Sequence, residues 1–178
     1  MEDLRQERRI SPLPPNIIGG ALIVPAGLLM KLNGGQTTTL QTRETRYVEM
    51  LAMEAVIAAE KRLGFLPRDV AADKCGYDIE SRDPAGESQL RFIEVKGRVQ
   101  GADSVTVTKN EILTALNKPD QFILAIVQVD LSAGAQAGDR QVVDITYVRE
   151  PFGREPDFGV TSVNYRLPEL INKGGPPR

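Results

Sequence analysis

The sequence predicts a mixed α/β domain, a central mixed sheet flanked by helices. Three observations predict it. Residues 42–63 carry apolar side chains at three- and four-residue spacing, the period of a helix packed on one face. Residues 76–98 hold two alternating segments, GYDIES and LRFIEVKGR, around the turn-rich RDPAGESQ, which reads as a hairpin. Residues 122–130, FILAIVQVD, form a continuous apolar run of the kind buried on both faces of a sheet.

The remaining elements fall between these. Residues 1–16 end in SPLPPN, an extended linker, and IIGGALIVPAGLLMKL follows as an apolar arm with a strand around Ala21–Val24. Gly19, Gly20, Pro25 and Gly27 break that stretch, so it is too short to span a bilayer. NGGQTTT at 33–39 lacks the Gly-Lys-Ser/Thr of a phosphate loop and reads as a loop before the helix. Gly64 and Pro67 end the helix. SVTVT at 104–108 is a third strand, KNEILTALNKPD a short helix and VVDITYV at 142–148 a further strand. The order is helix, three strands, helix, strand, with an extra C-terminal strand. We therefore expect a linker and arm over 1–33, a core domain over 34–150, and a C-terminal extension over 151–178 whose tail, NKGGPPR, is disordered.

Composition narrows the chemistry. The chain of 178 residues contains no histidine, which removes Ser-His-Asp and Cys-His catalysis and histidine general bases. Its one cysteine, Cys75, forbids an intrachain disulfide and points to a reducing, cytoplasmic compartment. Without a histidine to activate it, Cys75 reads as a small buried or partly buried thiol. The charged start MEDLRQERRI is not a signal peptide. A net charge of −2 is low for a domain that grips long DNA by its own field, so any such grip needs a local patch or a partner domain.

Within FIEVKGR, Glu94 and Lys96 lie two places apart and so share one side of the strand's pleat. An antiparallel register pairing Ile79 with Ile93 puts Tyr77 beside Val95 on the apolar face and Asp78 beside Glu94 on the other. Two facing carboxylates repel unless a cation lies between them. Mg²⁺ suits such a pair, because it keeps several waters and needs one or two carboxylates plus substrate phosphate. Lys96 would orient an attacking water or stabilise developing negative charge. Against this stands the plainer reading of a solvated strand face with a weak ion pair. On the upstream helix Glu54 is the one charge within MLAMEAVIAA, which suggests a carboxylate turned to the site or simply a wet helix face. Glu49 and Glu60 share that helix and are the alternatives.

GYD at 76–78, EVK at 94–96 and the helical Glu54 together resemble the PD-(D/E)XK, or restriction-endonuclease-like, superfamily, whose core is a helix, a three-stranded meander, a helix and a further strand. AMEAVIAAEKRLG, GYDIES, RFIEVKGR and TVTKNEI are similar to one group within it, the NO VEIN C-terminal-like domain, often attached to helicase-related proteins. The resemblance covers roughly residues 45–130. It implies Asp78 and Glu94 as ligands of Mg²⁺ or Mn²⁺, the Val95 carbonyl as a third ligand, Lys96 as the catalytic lysine and Glu54 as an outer ligand. The family's proline before the first aspartate is replaced by Tyr77. Where the second helix begins, Thr108, Lys109 and Asn110 offer free N–H groups that suit a phosphate, and Thr108 equally suits a plain helix cap. Arg91, Arg98, Lys109 and Lys118 form either a basic rim or scattered surface charge.

Three functional readings follow. The first is a metal-dependent nuclease domain acting on nucleic acid, DNA before RNA, in a defence or repair setting, with a homodimer as one way to cut both strands. The second is a non-catalytic module of the same fold that binds nucleic acid or protein. The third is an appendage of a larger helicase-like polypeptide, of which this chain is a fragment. None involves a membrane.

Overall fold

The computed structural model describes Leu28 and residues 38–86, 90–131 and 141–178. The expected linker, the Ala21–Val24 strand and the apolar arm apart from Leu28 lie outside the described residues. Contacts group residues 40–178 in one compact unit and residues 1–39 in another. In chain order the elements are α1 (Thr38–Arg62), β1 (Leu66–Asp69), a short 3₁₀ turn (Ala71–Asp73), β2 (Ile79–Arg82), β3 (Arg91–Val99), β4 (Ser104–Thr108), α2 (Lys109–Asn117), β5 (Phe122–Asp130), β6 (Gln141–Arg149), β7 (Ser162–Arg166) and α3 (Leu167–Ile171).

Five strands form the central sheet in the order β1-β2-β3-β5-β6. It is mixed: β3 and β5 run parallel, and the other neighbours are antiparallel. A parallel pair needs a crossover, and here β4 and α2 supply it. The expected helix, hairpin, second helix and following strand are thus present, and the third strand of the meander is one that the sequence reading did not name. Ile79 pairs with Ile93, the register that the alternation predicts.

Alternation along the strands builds two cores. Ile79, Ile93, Ile123, Ala125 and Val127 face Val48, Ala52 and Val56 of α1. Phe92, Phe122, Leu124 and Ile126 face the other way, onto Val105, Val107, Ile112, Ala115, Leu167 and Leu170. β5 contributes to both, which is why its sequence is apolar without interruption.

Helix α1 approaches β3 at a glycine. A Cβ on Gly97 would stand 2.8 Å from the Val48 carbonyl oxygen and 2.9 Å from Ala52 Cβ. Backbone on one side leaves little room to yield. Gly97→Ala is therefore expected to cost about 1–3 kcal/mol through overpacking, read as a lower urea midpoint. An unchanged midpoint would mean that α1 lifts freely off the sheet.

Five details differ from the sequence expectation. Leu66–Asp69 adds an edge strand before the hairpin, so GYD leads into the second strand of the meander and EVK lies on the third. The GYD strand starts at Ile79, because Gly76 turns the chain at φ +92° before it. Alternation consequently stops at Asp78. Tyr77 then stacks on Phe92, ring centroids 4.6 Å apart, and joins the core opposite to that of Val95. SVTVT does not extend the meander, since β5 occupies that edge of β3. It pairs instead with β7 and lays Val105 and Val107 on the second core. The tail is docked: Gly175 and Tyr147 exchange two backbone hydrogen bonds of 2.7 and 3.1 Å, and α3 packs Leu167 and Leu170 inward. Among the described residues no helix is long and apolar enough to cross a membrane.

Candidate active site

β2 and β3 pair only through Ile79–Ser81 and Arg91–Ile93. Beyond Ile93 the edge of β3 away from β5 is open, and a cleft of ≈ 400 Å³ lies there. Asp78, Glu94, Val95, Lys96, Gly97 and Arg98 line it, with Glu49 and Met53 from α1, Ala71, and Glu111 from α2.

Asp78 is fixed where the ladder fails. Its N–H donates to the Ile93 carbonyl at 2.9 Å. Its Oδ2 accepts the Val95 N–H at 2.9 Å, in place of a backbone carbonyl of β2. The loop that delivers it is held against α2: a Cβ on Gly76 would strike Thr114 Oγ1, and Asn110 Nδ2 donates to the Lys74 carbonyl at 3.4 Å. Glu94 and Lys96 share the face of Phe92 and are mostly enclosed, with side chains 5% and 14% exposed. Lys96 Nζ donates to Glu94 Oε1 at 2.8 Å and to Glu111 Oε2 at 2.8 Å.

The electrostatics are lopsided. Glu94 and Glu111 hold one ammonium, and the charge of Asp78 acts on the same cleft. Burial pushes the Glu94 carboxyl up to about 8; Lys96 opposes that shift, and Asp78 and Glu111 add to it. Burial likewise raises Asp78, against the Val95 hydrogen bond and the Lys96 charge. For Lys96 burial alone would lower the pKa, but the Glu94 charge and the bonds to both glutamates outweigh it and the net shift is upward. Burial lowers Arg98, with Glu49 opposing. Lys96 is therefore a fixed cation and hydrogen-bond donor, not a proton acceptor near neutral pH.

Carboxylates held above their ordinary range in one cleft suit an added cation. Among the described residues, Asp78 keeps one oxygen free of hydrogen bonds, and so does Glu94. Among the described residues no group of three or more histidine, cysteine, aspartate or glutamate side chains converges closely enough to hold a metal by itself. Two carboxylates completed by water and substrate oxygens remain a fitting donor set for Mg²⁺.

A model of the C-terminal region of Protein NO VEIN matches residues 48–143, more than half of the chain. The chain belongs to that family. The NO VEIN C-terminal match runs from within α1 to the start of β6 and so contains every residue that lines the cleft. Among solved structures, the chain is similar to Archaeoglobus fulgidus Hjc, a Holliday junction resolvase from an archaeal hyperthermophile. The identity is 12%, the TM-score 0.46, and the likeness covers 72% of this chain and 90% of that one. No curated protein matches the chain.

The structure brings Asp78, Glu94, Val95, Lys96 and Arg98 together. It does not bring Glu54, which is exposed on α1. Val48, Ala52, Val56 and Ala59 mark the buried stripe, and Glu54 lies on the far side of the helix from Ala52. Glu49, five residues earlier, lines the cleft instead. Glu60 is fully buried elsewhere, where its Oε1 accepts from Arg91 at 3.2 Å and from the Tyr147 hydroxyl at 2.9 Å.

Thr108, Lys109 and Asn110 do not line the cleft. Thr108 caps α2 in a reciprocal box with Glu111, which uses the N–H groups of both residues. The Lys109 N–H donates to Thr161, and its Nζ reaches the carbonyls of Asp157 and Phe158. A helix start so occupied has little left for phosphate. Of the two readings of the basic residues, scattered charge fits better than a rim: Arg91 pairs with Glu60, and Lys118 sits 3.6 Å above the Phe92 ring. Arg98 alone of the four lines the cleft. Cys75 is exposed rather than buried, its thiol 3.7 Å from the Tyr77 carbonyl. Sequence reasoning overlooked Glu111. The signal was there in TKNE, whose threonine-to-glutamate spacing marks a capping box.

Proposed function

We propose that this chain is a metal-dependent nuclease domain that hydrolyses phosphodiester bonds in DNA. The observation that carries the reading is the convergence of Asp78, Glu94 and Lys96 in one cleft at the open edge of β3. Asp78 and Glu94 would hold Mg²⁺ or Mn²⁺, with the Val95 carbonyl as a further oxygen. When bound, the cation supplies charge neutralisation at the phosphoryl oxygens and a more acidic bound water. Lys96, kept protonated by its carboxylate neighbours, donates to an oxygen of the phosphoryl group or to the attacking water. Arg98 at the cleft mouth meets the nucleic-acid backbone.

A cleft in which Asp78, Glu94 and Glu111 accompany one lysine repels phosphate until a cation is added. That favours a metal-requiring enzyme over a module that binds nucleic acid through the same cleft without metal. With a net charge of −2, the chain gains most of its DNA affinity from a helicase-like domain or partner.

The test is cleavage of single- and double-stranded DNA with Mn²⁺ or Mg²⁺ by wild type, Asp78→Ala and Lys96→Ala. We expect metal-dependent cutting by wild type and a loss of about a hundredfold or more in each variant. Cutting that survives both substitutions, or Mn²⁺ binding unaltered by Asp78→Ala, would sink the proposal. Nucleic-acid binding that needs no metal and survives Lys96→Ala would establish the non-catalytic module instead.

A further inference from the structure

Lys96 has two carboxylate partners, and they are held in different ways. Glu94 lies on β3 two residues before the lysine, and its Oε1 is shared with the ammonium. Glu111 belongs to the first turn of α2. Its Oε2 accepts the Thr108 N–H at 3.0 Å while its own N–H donates to Thr108 Oγ1 at 3.4 Å. The same Oε2 accepts from Lys96 Nζ at 2.8 Å. The helix cap has therefore fixed this oxygen independently of the lysine, with the side chain 14% exposed.

We propose that Glu111 is a positioning residue, the second anchor of Lys96, which keeps the ammonium in the cleft while Glu94 is given up to a divalent cation. The inference rests on the metal-site reading above and adds a residue that acts on that site through the lysine. With one carboxylate partner, the ammonium would compete with every incoming cation for Glu94. With two, Lys96 exchanges a bridging position for a single strong bond to Glu111 and never lacks a partner. A buried ammonium without one is costly. The crossover from β3 to β5 thus does more than connect a parallel pair: its helix places a carboxylate over the strand it has just left.

Glutamine satisfies a capping box as glutamate does. Glu111→Gln therefore keeps the cap and removes the charge, whereas Thr108→Ala weakens the cap and keeps the charge. The test is calorimetric Mn²⁺ titration of the full chain for wild type, both of these variants, Lys96→Met, and Lys96→Met combined with Glu111→Gln. Glu111→Gln is expected to weaken Mn²⁺ binding about five- to thirtyfold, the effect of one charge-assisted hydrogen bond. Thr108→Ala should leave it near wild type. In the Lys96→Met background the glutamine should make no further difference, because nothing is left to anchor.

An equal loss with and without Lys96 would show that Glu111 acts on the cation directly and would overturn the anchor, as would no loss in either background. Failure of the wild-type chain to bind Mn²⁺ overturns both the metal-site reading and the hand-over of Glu94. Nitrogen-15 NMR of the lysine side chains then judges the anchor alone. A slowly exchanging Lys96 ammonium that is lost in Glu111→Gln retains it, and an unchanged signal removes it.

Discussion

Glu94→Gln is expected to raise the stability of the folded chain at pH 8 and to cripple Mn²⁺-dependent cleavage. Burial pushes the Glu94 carboxyl from 4.5 to about 8 in the fold. Between those limits the folded state keeps a proton that the unfolded state has lost. Folding stability from this group is fully present below pH 4.5 and declines as pH rises, with a slope approaching about 1.4 kcal/mol per pH unit. Glutamine does not titrate, so the variant escapes the decline. It also leaves Lys96 its bond to Glu111. Urea denaturation at pH 5, 6.5 and 8 should show a stability gap in favour of the variant that widens with pH. Under the proposed metal site, cleavage by the variant should fall about a hundredfold or more, since it removes a charge proposed to hold the cation. A gap that stays constant with pH would mean that Glu94 is already ionised in the fold. The same proton opposes the metal, so wild-type Mn²⁺ affinity should rise with pH up to about 8.

Arg91→Met is expected to cost about 3–5 kcal/mol, because it strands a buried carboxylate. Glu60 is 0% exposed, its Oε1 receives Arg91 and Tyr147, and its Oε2 has no hydrogen-bond partner among the described residues. Arg91 also lies 3.7 Å above the Phe65 ring, so the substitution removes a cation–π contact as well. Burial and the adjacent Glu60 charge hold the Tyr147 hydroxyl protonated, so it stays a donor but supplies no compensating charge. Urea unfolding measures the loss. The double variant Glu60→Leu with Arg91→Met should regain most of it, since neither charge then needs the other. A loss below about 1 kcal/mol for Arg91→Met alone would mean that water reaches Glu60.

What the sequence made legible follows from periodicity. Helix α1 and the pairing of Ile79 with Ile93 each express a repeat of side-chain burial, β5 expresses an unbroken apolar run, and each is present. Periodicity names a face, however, not a partner. SVTVT alternates as an edge strand should, yet its partner SVNYR lies beyond α2, β5 and β6 in the chain, and nothing local to either segment names the other. The pairing of Thr108 with Ser162 is set by tertiary packing. LPRD shows no alternation that could identify it: it is four residues long, mostly exposed and contains a proline.

The site was legible to the same extent. Glu94 and Lys96 share a cleft through strand alternation, which can be read from residues, and the register of Ile79 with Ile93 brings Asp78 to its edge, where the ladder ends. Glu54 misled because its apolar neighbours include Met50, which is 48% exposed; apolar residues on a helix do not all mark its inner side. Glu49, beside Val48 and one turn before Met53, was the better candidate on a helical wheel. Glu111 was hidden by its local role, since a capping residue needs no further explanation until the crossover is known to pass over Lys96.

The two apolar cores contain none of the cleft's charged residues. The cleft's charges can therefore change without altering either core. A lineage that stopped using the cleft would find replacements of Glu94 that strengthen the fold, and drift would take them readily. In such a lineage the arrangement of Asp78, Glu94, Lys96 and Glu111 would be erased before the sheet that carries it.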